Sequence, residues 1–326
     1  MASITNPTRP SFADATKVER LDSHTYRANL HDAYCIGTVP NGGYVSSCLL
    51  QAASTHLAAR GQKEALTAHF EFLTRTEVGP AVIVIEDIKP GRQLSTIHLT
   101  LYQHDLIPHA PWTTPGSSRR EIVAYMTMTN LQNERGMSLP TAFSLVSPPP
   151  PPPNFAALLS GRDDDTNWQP LTFGSGRPVE YARCVQNCAF YAPRFPSQKK
   201  GILDIWVRLA SGEGFTNGSL GFVADCWPYV VESYRPTEGT VPFAHNQIFW
   251  YPTIVLNLEQ KKALPKEGVK WLQLRIEAKQ IKNGRLDLEV VVLDKEGELV
   301  ALSQHVNLIL GAERNVAERK TKKSHI

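Results

Sequence analysis

Long apolar runs are missing from this chain. No stretch approaches the ~20 apolar residues that a membrane-crossing helix needs, and Met1 to Pro10 carries no apolar segment of the secretory kind. Paired cysteine motifs are missing too. Cys35, Cys48, Cys184, Cys188 and Cys226 are odd in number and include no Cys-x-x-Cys. No histidine or further cysteine completes a zinc set beside Cys184 and Cys188, so all five are expected as reduced, mostly buried thiols in a reducing compartment. A strong charge of one sign is absent: 34 Lys and Arg face 31 Asp and Glu, a net charge of +3. That is too mild for a nucleic-acid surface and suits a modestly anionic ligand. Gly-x-Gly-x-x-Gly and P-loop patterns are absent, so nucleotide cofactors of those kinds are not indicated. Gly-x-Ser-x-Gly is absent as well, and Ser95, Ser219 and Ser303 join no evident Ser–His–acid set. The histidines suggest no metal constellation. Neither a metal nor an organic cofactor is expected.

What the chain does have is enough apolar material for two cores. With 326 residues, 42% hydrophobic and 20% charged, it reads as two globular domains of about 150 residues each. Six prolines, Pro148 to Pro153, favour an extended polyproline rod. Arg162-Asp163-Asp164-Asp165 and Gly174-Ser175-Gly176 follow. The stretch 134–178 therefore reads as a linker with one short helix near Phe155 to Leu159.

The same order of events lies on each side. Asn41-Gly42-Gly43 opens an apolar helix, Tyr44 to Ala59, which Gly61 stops. Strands follow at Leu66–Leu73, Ala81–Ile88, Leu94–Tyr102 and Glu121–Leu131, the last two alternating apolar and polar residues. In the second half, Asn217-Gly218 opens a helix from Ser219 to about Tyr234. Strands follow at Thr253–Glu259, Trp271–Lys279, Arg285–Leu293 and Leu299–Leu310, with Asn283-Gly284 and Glu296-Gly297 at hairpin turns. The helix openings are 176 residues apart and the strands after them 186 apart; the difference falls in a longer loop, Arg235 to Pro252. Matching order at nearly matching spacing indicates an internal duplication. Each helix is apolar over most of its circumference, through Val45, Cys48, Leu49 and Ala52, then Leu220, Val223, Trp227 and Val230. A helix of that kind is buried, so each antiparallel sheet must curl around its helix in an α+β fold.

Val39-Pro40-Asn41-Gly42-Gly43-Tyr44, Leu66-Thr67-Ala68-His69-Phe70 and Gly91-Arg92-Gln93-Leu94-Ser95-Thr96 resemble the N-terminal hotdog of the type II (TesB-like) acyl-CoA thioesterases. They are closer still to the thioesterase-like superfamily common in fungi and actinobacteria. Asp204-Ile205-Trp206-Val207-Arg208-Leu209, Ala224-Asp225 and Leu299-Val300-Ala301 resemble that family's second hotdog. The resemblance implies a double hotdog, two tandem helix-wrapped antiparallel sheets: an N-terminal hotdog over 1–133, the linker 134–178, a C-terminal hotdog over 179–312 and a basic tail, 313–326.

By the same resemblance, an Asp, a Thr or Ser and a Gln orient the water that attacks a thioester. Asp225 and Thr253 match the first two positions. For the third, Gln304 stands one residue early and His305 occupies the expected place, so either a bulge re-aims Gln304 or His305 serves. Asp225 is read as a mid-helix carboxylate acting as general base; the plain alternative is an Asp satisfied by backbone amides. Asn41, Gly42, Gly43 and Gly218 are candidates for meeting the substrate carbonyl with helix-end amides. Helix capping by the asparagines is the simpler reading, and the preferred one for the second helix. His69 matches a family histidine and either lines the acyl tunnel or is a satisfied core residue. The hydratase Gly-Asp-x-Asn-Pro motif is absent. The expected activity is hydrolysis of an acyl-CoA, or a related acyl or polyketide thioester, to free acid and CoA, by a homo-oligomer. The alternative is a non-hydrolytic protein that binds, isomerises or cyclises a pathway intermediate. Ser324-His325-Ile326 after two lysines resembles a peroxisomal address, so the expected location is cytoplasmic or peroxisomal.

Overall fold

A computed structural model describes residues 9–160, 165–171, 181–195, 199–235 and 247–317. The Ser-His-Ile terminus, Gly174-Ser175-Gly176, Arg162 to Asp164 and most of the long loop after Arg235 lie outside the described residues. No described helix is long and apolar enough to cross a membrane.

The first half supplies strands β1 (Val18–Arg20), β2 (Thr25–Leu30), β3 (Glu64–Phe72), β4 (Gly79–Lys89), β5 (Ser95–Gln103) and β6 (Arg119–Thr129) around helix α1 (Gly42–His56). The second supplies β7 (Trp168–Pro170), β8 (Cys188–Pro193), β9 (Ile202–Leu209), β10 (Thr253–Gln260), β11 (Leu272–Glu277), β12 (Arg285–Leu293) and β13 (Leu299–Leu308) around helix α2 (Leu220–Asp225). These pair in the order β1-β2-β4-β5-β6-β3-β10-β13-β12-β11-β9-β8-β7, and the short strand Ile281–Lys282 completes a 14-stranded sheet. The order reads the same from its centre outward in both halves. At that centre β3 meets β10 antiparallel, with Phe70 opposite Leu256 and His69 opposite Asn257. Phe70 and Leu256 are 186 residues apart, the interval at which the strands recur, so the axis of the duplication runs between them. The molecule is a double hotdog.

Sequence pattern explains most of these elements. Asn41 caps α1, its Oδ1 accepting from Tyr44 N at 2.9 Å. Ten residues of α1 are buried, as expected of a helix sheathed by its sheet. Gly61, at φ +71°, closes the short 3-10 turn Ala58–Arg60 behind it. Eight residues named as core-facing, from Val45 to Val230, are all buried, and the five cysteines are free and buried. Burial pushes the Cys35 and Cys48 thiols up to about 12, so they are protonated and inert at neutral pH.

The second helix departs from expectation. It is not continuous from Ser219 to Tyr234: a 3-10 turn, Asn217–Ser219, leads into α2, which ends at Asp225, and a second 3-10 stretch runs from Tyr229 to Tyr234. Pro228 explains the break. It has no amide to donate and its ring collides with the carbonyl four residues earlier. Thr216, not Asn217, stands at the start, its amide donating to Ser219 Oγ at 3.0 Å.

Residues 146–160 and 165–170, within the stretch expected as a linker, are strapped onto the second repeat. The short helix Phe155–Leu159 forms where expected. Leu158 and Trp168 are buried with Tyr191, Trp206 and Trp271. Trp168 Nε1 donates to Pro151 O at 2.7 Å. Asp165 turns the chain by accepting from the amides of Asn154, Asn167 and Trp168. Arg275 anchors the near end. Its guanidinium donates to both carboxylate oxygens of Asp204, at 2.7 and 3.1 Å, and to Val146 O and Ser147 O. Both side chains are at most 7% exposed. Arg275→Met leaves Asp204 buried without its counter-charge, an arrangement that costs about 3–5 kcal/mol. Burial already pushes the Asp204 carboxyl up, against the pull of Arg275. Without that pull the folded state holds the Asp204 proton to higher pH than the unfolded state does. The stability gap between variant and parent, read by denaturant unfolding, is therefore smallest in acid and widens as pH rises towards neutrality.

Candidate active site

Asp225 is the last residue of α2 because Pro228 stops the helix, not a mid-helix residue as its sequence neighbours suggest. Its side chain is buried against the opening of α1 from the other repeat. Gly43 N donates to Asp225 Oδ2 at 2.8 Å, and Asn41 Nδ2 donates to the same oxygen at 3.1 Å. Asn41 therefore does two things: its Oδ1 caps α1 while its Nδ2 holds the carboxylate. Asp225 Oδ1 accepts from Thr253 Oγ1 at 3.0 Å, and Thr253 Oγ1 in turn accepts from Asn307 Nδ2 at 2.9 Å. Three donors thus converge on one carboxylate from α1 and β10.

His305 stands behind this group, its side chain fully buried, with Nδ1 3.6 Å from Asp225 Oδ1. That is too long for a hydrogen bond, and Nδ1 has no other partner. Its Nε2 is 2.9 Å from Ser303 Oγ. The single Ser303 hydroxyl proton goes to Asn257 O, at 2.6 Å, so Ser303 must accept from His305. The imidazole therefore carries a proton on Nε2, and its Nδ1 faces Asp225.

The helices reach each other because of two glycines. A Cβ on Gly43 would sit 2.4 Å from Gly221 O and 2.6 Å from Asp225 Cβ. One on Gly221 would lie 3.1 Å from Ser46 Cβ. Phe222 N also donates to Ser47 Oγ, at 3.0 Å.

A cavity of about 110 Å³ opens onto Asn41, Gly42, Asp225 and Thr253, walled by Phe72, Pro228, Tyr229 and Tyr251 among others. It has room for a few waters or one small functional group, not for a whole coenzyme.

The remaining candidates fall elsewhere. Gln304 is exposed and lies in register opposite Asn257; the irregularity in this strand pair is between Thr253 and Val255, so no bulge turns Gln304 inward. His305 holds the inward place. His69 is neither a tunnel nor a core residue. Its side chain is 43% exposed on the outer face of the sheet, bonded to Asn257 Oδ1 at 2.7 Å and to Glu71. Gly218 does not line the cavity, and its nearest neighbour is Gln51 of α1. Asn217 Oδ1 accepts from Gln260 and from Leu264 N, fastening a loop instead of capping a helix.

Asn307 carried no expectation from the sequence, and Ser303, expected to join no Ser–His–acid set, stands 2.9 Å from His305, whose other nitrogen faces Asp225. Their signal was present: Ser303, His305 and Asn307 put three polar side chains on the buried face of β13. In β6 the matching places are filled by Ile122, Ala124 and Met126, since Phe70 lies opposite Ala124 just as Leu256 lies opposite His305. At the 176-residue interval, Leu49 stands where Asp225 would. One of the two equivalent places is polar and the other is core.

Models of the acyl-CoA thioesterase N-terminal and C-terminal domains match residues 30–128 and 155–309. The chain belongs to the acyl-CoA thioesterase family. It is 44% identical over 330 residues to the thioesterase-like protein TwmA of Talaromyces wortmannii, covering 94% of each chain. Among solved structures it is similar to a conserved hot dog fold protein of Alicyclobacillus acidocaldarius, with 17% identity, a TM-score of 0.68 and coverage of 93% and 98% of the two chains. It is also similar to the acyl-CoA thioesterase II TesB2 of Mycobacterium marinum, with 16% identity, a TM-score of 0.60 and coverage of 92% and 98%. The two thioesterase domains follow one another in this chain, and the polar cluster lies at their junction.

Gly43→Ala tests that junction. Alanine gains about 1 kcal/mol of helix propensity over glycine, but overpacking against a backbone carbonyl costs about 1–3 kcal/mol. Denaturant unfolding should show a net loss of stability.

Proposed function

We propose that this thioesterase-family chain hydrolyses an acyl-CoA, or a related acyl thioester, with Asp225 as general base. The observation that carries the proposal is the buried Asp225 carboxylate at the mouth of the cavity, held by Gly43 N, Asn41 Nδ2 and Thr253 Oγ1. A water in the cavity gives a proton to Asp225 and its oxygen attacks the thioester carbon. The oxyanion lies toward Gly42, whose amide at the first helical position has no acceptor within the helix. Collapse of the tetrahedral intermediate breaks the C–S bond, and the departing thiolate takes the proton back. His305 Nδ1, facing Asp225 Oδ1 at 3.6 Å, suits a transient second holder for that proton. Phe72, Tyr229 and Tyr251 in the cavity wall suit an acyl group.

Free-thiol release from short, medium and long acyl-CoAs is the direct assay. Parent enzyme should turn over at least one of them. Asp225→Asn, which keeps the shape but cannot act as base, should lose ~100-fold or more in kcat. Absence of thiol release by the parent at micromolar protein would sink hydrolysis and bring forward binding or isomerisation of a pathway intermediate. His305→Gln separates two roles. If His305 holds a proton, the variant's kcat loses an ionisation seen in the parent's pH profile; if it only fills space, the profile keeps its shape.

A further inference from the structure

Three residues far apart in sequence meet on the outside of the first repeat. His24 stands just before β2, His56 ends α1, and Asp87 lies near the end of β4. His56 Nε2 is 3.1 Å from Asp87 Oδ1, His24 Nε2 is 3.5 Å from Asp87 Oδ2, and one ligand atom from each of the three lies within 4.8 Å of the others. A tetrahedral ion with bonds of ~2.0–2.1 Å needs donor atoms about 3.3 Å apart, and each Nε2 lies close to that distance from its own oxygen of the Asp87 carboxylate.

The rest of each ring is already placed. His24 Nδ1 is 2.8 Å from Ser23 Oγ and His56 Nδ1 is 3.3 Å from Tyr26 Oη. Both imidazoles are therefore turned with Nε2 toward the carboxylate. A hydroxyl can donate to or accept from a ring nitrogen, so the same orientation serves whether Nε2 bears a proton or a metal. Outer partners of this kind fix metal-ligating histidines. The supports are rigid: β2 and β4 are paired, Thr25 opposite Val84, and Ile85 N donates to His24 O at 2.8 Å. Among the described residues, the ion-pair partners of Asp87 are these two imidazoles.

We propose that His24, His56 and Asp87 form a Zn²⁺ site with three protein ligands and an open fourth position, clamping the end of α1 to the sheet and separate from the Asp225 cavity. Two neutral imidazoles and a carboxylate suit this ion.

The test uses full-length protein stripped with a chelator. Zn²⁺ is titrated in competition with a chromophoric chelator, and Co²⁺ binding is read in the visible spectrum. The expected result is one equivalent of Zn²⁺, a tetrahedral Co²⁺ spectrum and a Tm that rises with excess Zn²⁺. His24→Ala and Asp87→Asn should each weaken binding ~100-fold, and Tyr26→Phe about 10-fold, as outer-partner losses do. The His24 side chain is 47% exposed, so its variant should keep the fold and the thioesterase activity. The proposal is overturned if the parent binds no Zn²⁺ at ~100 µM, or if it binds no more tightly than His24→Ala. The three side chains are then only a hydrogen-bonded fastening.

Discussion

The grip of α1 on Asp225 is the contact on which the site depends. A carboxylate at the C-terminal end of a helix faces the negative end of that helix's own dipole, and burial adds a desolvation cost. Neither is tolerable alone. Both are met because the positive, amide-rich opening of α1 points at the same place, adding Gly43 N–H and the Asn41 side chain. This needs the two backbones nearly in contact, which Gly43 and Gly221 permit. The buried carboxylate of one repeat is thus held in place by the helix end of the other, and neither half contains the cluster alone.

The duplication supplied two such crossings, and the chain has made only one of them polar. Asp225, Thr253, Ser303, His305 and Asn307 gather at one, while Leu49, Ile122, Ala124 and Met126 keep the other as apolar core. Burying a second set of polar groups would cost free energy with no gain in stability. The polar set is bonded member to member, from Asn307 through Thr253 to Asp225 and from His305 through Ser303 to the backbone of Asn257. Such a network positions its groups tightly because each has few alternatives.

Outside the junction, the same logic of fastening appears twice. Arg275 and Asp204 tie Val146 and Ser147 to the second sheet, and His24, His56 and Asp87 gather at the end of α1 in the first. Both clusters join segments distant in sequence. Both lie away from the cavity, so they bear on the rigidity of the repeats and not on the Asp225 cluster.

Periodicity and punctuation in the sequence determined the duplicated helix-and-strand order, the antiparallel strands, the buried face of each helix and the short helix after the proline run, because those depend on local spacing. The family motifs pointed to Asp225 and Thr253. Alternation along β13 already put Gln304 and His305 on opposite faces, but only the sheet register decided which face was inward. The tertiary structure alone decided the rest. Pro228 moved Asp225 to a helix end, and a partner helix made that end habitable. Asn41 proved to be both cap and ligand, and Gly218 proved remote from the site. His24, His56 and Asp87 came together from three separate elements. A contact between distant segments leaves no trace in local spacing; it exists only once the sheet has curled and the two helices have crossed.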